Sequence, residues 1–153
     1  VIATETPNMK VDFYQLSRDP VERVMPSIAQ RLLDGGDRLL IVTEEDDRLD
    51  RISQGLWSAG PDSFLAHDRA GCANPGRQPI LLSPTCQPDN GARHIALADG
   101  LWRDEALQFE RVFYFFDDTT VEGARQSWRA LSRQDAIEPR FWRQEGRKWV
   151  QGP

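Results

Sequence analysis

Two uninterrupted apolar runs constrain this chain most: "DRLLIVT" at 37–43 and "ERVFYFF" at 110–116. Each is too short for a helix of ordinary length and too continuous for a strand with one wet face. Such runs are strands covered on both faces, the usual state of strands in a parallel sheet. Neither approaches the roughly 20 apolar residues that span a bilayer.

Helical patterns lie between such strands. "KVDFYQL" at 10–16 alternates and reads as a first strand. The following segment places Val21, Val24, Met25, Ile28, Leu32 and Leu33 on one stripe. Asp19 is its expected N-cap, Pro20 its first residue, and Gly35-Gly36 its stop. Pro26 inside that pattern predicts a kink or a late start. Leu49, Ile52 and Leu56 define a second helix, closed by Trp57.

Further strands are expected at 62–67, 79–83 and 93–98, with loops at 68–78 and 84–92. A third helix is expected from about Thr119, with Thr119 and Glu122 as a capping box. An extended pair turning near Glu145-Gly146 ends the chain. Alternating strands and helices predict one α/β domain over 9–151, with a mostly parallel sheet and helices on both faces. Residues 1–8 are polar and are expected to be a disordered extension before a natural start at Met9.

In such folds the first strand–helix turn ordinarily carries glycines that let backbone N–H groups cradle a phosphate. Here the turn is "LSRDP", without a glycine, so a conventional nucleotide site is not expected. The acidic run "EEDD" at 44–47 is then better read as favouring a helix N-terminus. Cys72, Cys86, His67 and His94 fit no zinc spacing, and neither thiol has an identifiable base nearby. No catalytic constellation, metal or cofactor is expected. The two thiols read as reduced and cytoplasmic, and lone histidines in such positions read as solvated or capping groups.

Charge is distributed unevenly. The chain has a net charge of −5. Residues 1–124 carry 12 basic and 21 acidic groups, whereas 125–153 carry 7 basic and 3 acidic. Three of the five tryptophans lie in the last 26 residues. On a helix, Arg125, Trp128, Arg129 and Ser132 share a side. Trp128 lies at the border of that side and the apolar one, so it is either core or pocket. Guanidinium groups beside an aromatic slot suit a ligand both anionic and apolar. Single-stranded nucleic acid qualifies, as does an acidic peptide ending in an aromatic residue and a carboxylate. The acidic body disfavours a long polyanion, so the charge map favours the peptide. Trp57 and Phe64 flank a turn, and are either core or anchors of a protein interface.

The segments "MKVDFYQL", "RLLIVTEED", "LDRISQGLWSAGPDSFLAH", "PILL" and "ARQSWRALS", in this order, resemble the chi subunit of bacterial DNA polymerase III holoenzyme. The resemblance implies a Rossmann-like, non-catalytic accessory subunit of the clamp-loader complex, cytoplasmic and paired with the psi subunit. It implies capture of the acidic C-terminal tail of single-stranded DNA-binding protein, hence indirect contact with single-stranded DNA. By position, Arg125, Trp128 and Arg129 take the tail, and a C-terminal tryptophan joins them: Trp149, with Trp142 as the alternative. Trp57 and Phe64 take the psi-facing surface. The family often has tyrosine at the Trp128 position, can carry lysine where Val121 stands, and has proline where Ala66 stands. Two other classes remain as alternatives: a Rossmann-type enzyme using a nucleotide, and a direct single-stranded DNA binder through the same basic end.

Overall fold

The computed structural model describes residues 9–59, 65–146 and 148–152. β1 (Met9–Gln15), α1 (Val21–Asp34), β2 (Leu39–Val42) and α2 (Asp46–Trp57) come first. β3 (His67–Arg69), β4 (Ile80–Ser83), β5 (His94–Leu97) and β6 (Arg111–Phe116) follow. The chain closes with α3 (Val121–Ser132), β7 (Ile137–Glu145) and β8 (Lys148–Gln151). The described strands form one sheet in the order β3-β4-β2-β5-β6-β1-β7-β8. All pairings are parallel except β7–β8. This is the α/β domain with a mostly parallel sheet that the alternating pattern predicts.

Helices α1 and α2 cover one face, packing Val24, Met25, Ile28, Leu49 and Ile52 on Tyr14, Leu39, Ile41, Phe113 and Phe115. α3 covers the other, with Ala124 and Leu131 over Phe13, Tyr114 and Phe116. Every residue of β2 and β4 is buried, as the continuous apolar run at 39–42 requires.

α1 and α2 meet at an unusually close point. Pro26 lies inside α1 and has no N–H to give the Glu22 carbonyl. Gly55 of α2 sits against that carbonyl, so near that a Cβ there would collide with the oxygen. The proline thus starts no new helix; it leaves an acceptor against which the glycine closes.

Several local expectations are corrected. α1 is led by Pro20 without a side-chain cap, and Asp19 instead accepts a hydrogen bond from Gln144 Nε2 at 2.8 Å. The capping box does not form: Thr120 is the α3 N-cap residue, and Glu122 pairs with Arg125. β3 begins at His67, the last residue of the strand expected at 62–67, and runs on into the segment read as loop. Residues 1–8 and 60–64, including Phe64, lie outside the described residues. Among the described residues no helix is long and apolar enough to cross a membrane.

Candidate functional site

α3 lies against β7 across the sheet face formed by β1 and β6. Its apolar stripe is short: Ala124 and Leu131 are buried, while Val121 and Trp128 are only partly so. Small Ala124 beside large Trp128 leaves a gap over the sheet. The gap is a hollow of about 190 Å³ lined by Phe13, Gln15, Phe116, Val121, Ala124, Arg125, Trp128 and Phe141. Phe13 and Phe116 form its floor, with ring centroids 6.3 Å apart. Trp128 meets Phe13 edge to face at 5.0 Å, and Phe141 stands 6.2 Å from Phe116. The Trp128 indole is therefore neither core nor free surface; it is a wall packed on one side.

Arg125 stands exposed at the rim, its Nη1 donating to Glu122 Oε1 at 2.6 Å. Both side chains are solvated, so this pair is weak and can exchange for an incoming carboxylate. Arg129 is exposed one turn further along and does not line the hollow.

Trp149 and Trp142 are not with them. Both pack on the opposite face, around Tyr14. Adjacent residues of a strand point to opposite sides. Phe141 therefore enters the α3 hollow, while Trp142 stacks on Tyr14 at 6.1 Å. Trp149 pairs with Gln144, two residues beyond Trp142 and on the same side as it. The aromatic that completes the hollow is Phe141. Strand alternation across "FW" is the sequence signal that separates Phe141 from Trp142.

The opposite face holds a group the sequence did not reveal. Asp12 is fully buried. Its Oδ1 accepts from Arg140 Nε at 2.6 Å and Trp142 Nε1 at 3.0 Å; its Oδ2 accepts from Arg111 Nε at 2.7 Å and Arg140 Nη2 at 3.0 Å. Parallel pairing makes this possible, since Asp12 is in register with Arg140 and neighbours Arg111 diagonally. Burial alone pushes the carboxyl up; the Arg140 and Trp142 hydrogen bonds and the Arg111 charge outweigh it and hold Asp12 below the usual carboxylate range. Tyr14 beside it is pushed up to about 12 by burial and then by the Asp12 charge.

Trp57, the last residue of α2, is 55% exposed. Its ring lies 4.4 Å from the His67 imidazole. His67 is buried, not solvated: Nδ1 donates to the Leu65 carbonyl at 2.8 Å, which leaves Nε2 to accept from the Ser53 hydroxyl at 2.7 Å. It ties the 65–67 segment to α2. Cys72 is partly exposed and Cys86 buried, both unpaired, and burial raises the Cys86 thiol. Among the described residues no cluster of three or more His, Cys, Asp or Glu could hold a metal.

Fold and surface define a single Rossmann-like α/β domain, glycine-free at its first strand–helix turn and bearing a hollow sized for one side chain. The chain belongs to the family described as DNA polymerase III chi subunit, HolC, which matches residues 9–138. It is thus an accessory subunit of the bacterial replicase. DNA polymerase III subunit chi of Escherichia coli (strain K12) is 27% identical to it over 128 residues, covering 77% of this chain and 87% of that protein. Among solved structures, the Sulfolobus solfataricus SWI2/SNF2 ATPase C-terminal domain overlays with a TM-score of 0.46 at 16% identity, over 73% of this chain and 55% of that one.

Proposed function

We propose that this chi-family chain is a non-catalytic bridge, cytoplasmic and paired with psi, that captures the acidic C-terminal tail of single-stranded DNA-binding protein in the α3 hollow. The observation that carries the reading is an aromatic-walled hollow of about 190 Å³ with a solvated guanidinium at its rim. Apolar cavities of about 150 Å³ admit a benzene-sized ring. One phenyl side chain fits, and its terminal carboxylate reaches Arg125. Arg129, exposed one turn along, meets acidic residues further back in the tail. Phe141 takes the wall that the family resemblance gave to a C-terminal tryptophan.

Trp57 supports a second contact. A half-exposed indole whose ring rests on a buried, doubly bonded histidine is a pre-organised anchor for a protein partner. Psi is the partner the family implies.

Tail capture is weak per site and salt-sensitive, since the charges are exposed. Several tails on one coated strand multiply it. Calorimetric titration with an acidic peptide ending in Pro-Phe tests the hollow. Trp128→Ala costs roughly 1–3 kcal/mol of affinity, the size of an anchor residue. Unchanged binding by that folded variant overturns the site.

A further inference from the structure

A larger concavity, about 550 Å³, lies on the opposite sheet face between α1 and the β7–β8 hairpin, and tail capture does not use it. Cations from five elements converge on it: Lys10 of β1, Arg31 of α1, Arg111 of β6, Arg140 of β7 and Lys148 of β8. Among the described residues its lining contains no Asp or Glu. Asp12 lies beneath, shared by Arg111 and Arg140, and Glu138 stands in register with Lys10; these two carboxylates do not neutralise the five cations. On a chain of net charge −5 this is a concentrated patch of positive potential.

Asp12 also orients what it holds. It engages Arg111 through Nε alone, and Arg140 through Nε and Nη2. The terminal nitrogens of Arg111 and Nη1 of Arg140 have no hydrogen-bond partner among the described residues. Two fixed guanidinium groups with donors to spare suit a tetrahedral oxyanion, which accepts from several directions at once. A planar carboxylate is satisfied by one fork and leaves the other cations unused. Beside them, Trp149 stands edge to face against Tyr14 at 5.0 Å, an aromatic wall along a basic groove. Cations that track a backbone and rings that stack are the two elements of single-strand recognition.

We propose that this groove binds a nucleotide unit of a single-stranded nucleic acid, its phosphate held by Arg111 and Arg140 with Arg31 and Lys10, and its base against Trp149. The site is distinct from the α3 hollow and does not rest on tail capture. Strand and tail then occupy opposite faces of one sheet.

Fluorescence anisotropy with a labelled thymidine homopolymer of about ten nucleotides, a length within the range of known single-strand sites, tests it. The expected result is binding at low salt that weakens with log salt by about 0.7 per phosphate engaged. Arg31→Glu, an exposed change that leaves the Asp12 cluster intact, lowers affinity about tenfold, with far-ultraviolet circular dichroism unchanged. Trp149→Ala lowers it as well, and Arg125→Glu on the α3 face does not. No binding at low salt overturns the proposal, as does an equal loss in Arg125→Glu. Thymidine monophosphate binding as tightly as the homopolymer overturns the strand as ligand. Displacement of the labelled strand by the acidic Pro-Phe peptide, surviving Trp128→Ala, makes the groove a carboxylate site and overturns the proposal too.

Discussion

On the α3 face, Phe13, Phe116, Phe141 and Trp128 surround a hollow of about 190 Å³ with one solvated guanidinium at its rim. On the α1 face, Arg111 and Arg140 are locked on a buried carboxylate beneath a groove of about 550 Å³. Both faces draw on β1, β6 and β7: the α3 face on their phenylalanines, the α1 face on their cations as well as their aromatics. They differ in which type is buried. Buried rings make a cavity that selects by shape, with charge added only at the edge. Buried charge pairs fix cations in place, so that electrostatics comes first and the rings serve as walls. Residue composition alone does not separate these outcomes; the position of Asp12 does.

The largest expected effect breaks the charged face. Asp12→Asn leaves two guanidinium groups without their anion and costs about 3–5 kcal/mol of stability at neutral pH, read by urea denaturation. A loss under 1 kcal/mol means that Asp12 does not organise the pair. The pH dependence follows from its lowered carboxyl. The folded protein holds the charged form more strongly than the unfolded chain. Its stabilisation is therefore full above the unfolded value near 3.8 and is lost as pH falls through the folded one. The gap between native protein and Asp12→Asn narrows below pH 3.8.

Next in size, Phe141→Ala and Trp149→Ala set one face against the other. Phe141→Ala removes a wall of the hollow and costs roughly 1–3 kcal/mol of tail affinity. Trp149→Ala leaves tail affinity unchanged. The reverse result, by calorimetry, would place the tail on the α1 face.

Gly55→Ala is of similar or smaller size and has an unexpected sign. In an exposed helix interior this change gains about 1 kcal/mol. Here the new Cβ meets the Glu22 carbonyl, so α1 must shift and the protein loses about 1–3 kcal/mol in a thermal melt. Arg31 moves with α1, so strand affinity falls while tail affinity stays. Smallest is Glu122→Gln, which frees Arg125 and raises tail affinity about twofold, the scale of an exposed ion pair.

The fold was legible where burial is enforced along the local chain. The α1 stripe, the β2 run and the α2 stripe each declare their period, and the structure buries those residues almost without exception. The local errors sit where side chains had a choice of partner. Asp19 and Glu122 are good capping types, but each found a different group within reach: Gln144 from β7 and Arg125 one turn along. Half of the α3 hollow was legible, because Arg125 and Trp128 lie on one helix and their spacing fixes their side. Its remaining parts come from β1, β6 and β7, and no local pattern joins Phe13 or Phe116 to Phe141.

Asp12 shows the limit most clearly. In "KVDFYQL" it reads as the wet position of an alternating strand. The sheet places β1 between β6 and β7, and α1 lies over that face. The wet position thereby becomes fully buried. Its partners are 99 and 128 residues away in the chain.

By itself the sequence determined the α/β alternation, the two-sided burial of the central strands, the glycine-free first turn and the basic, aromatic final fifth. These follow from periodicity and residue chemistry, which act over a few neighbouring residues. Only the tertiary structure decided that β7 docks beside β1, and with it which aromatics share a face and which arginines share a carboxylate. Strand order and register are set by the free energy of the whole packed sheet, a sum over residues distant in the chain.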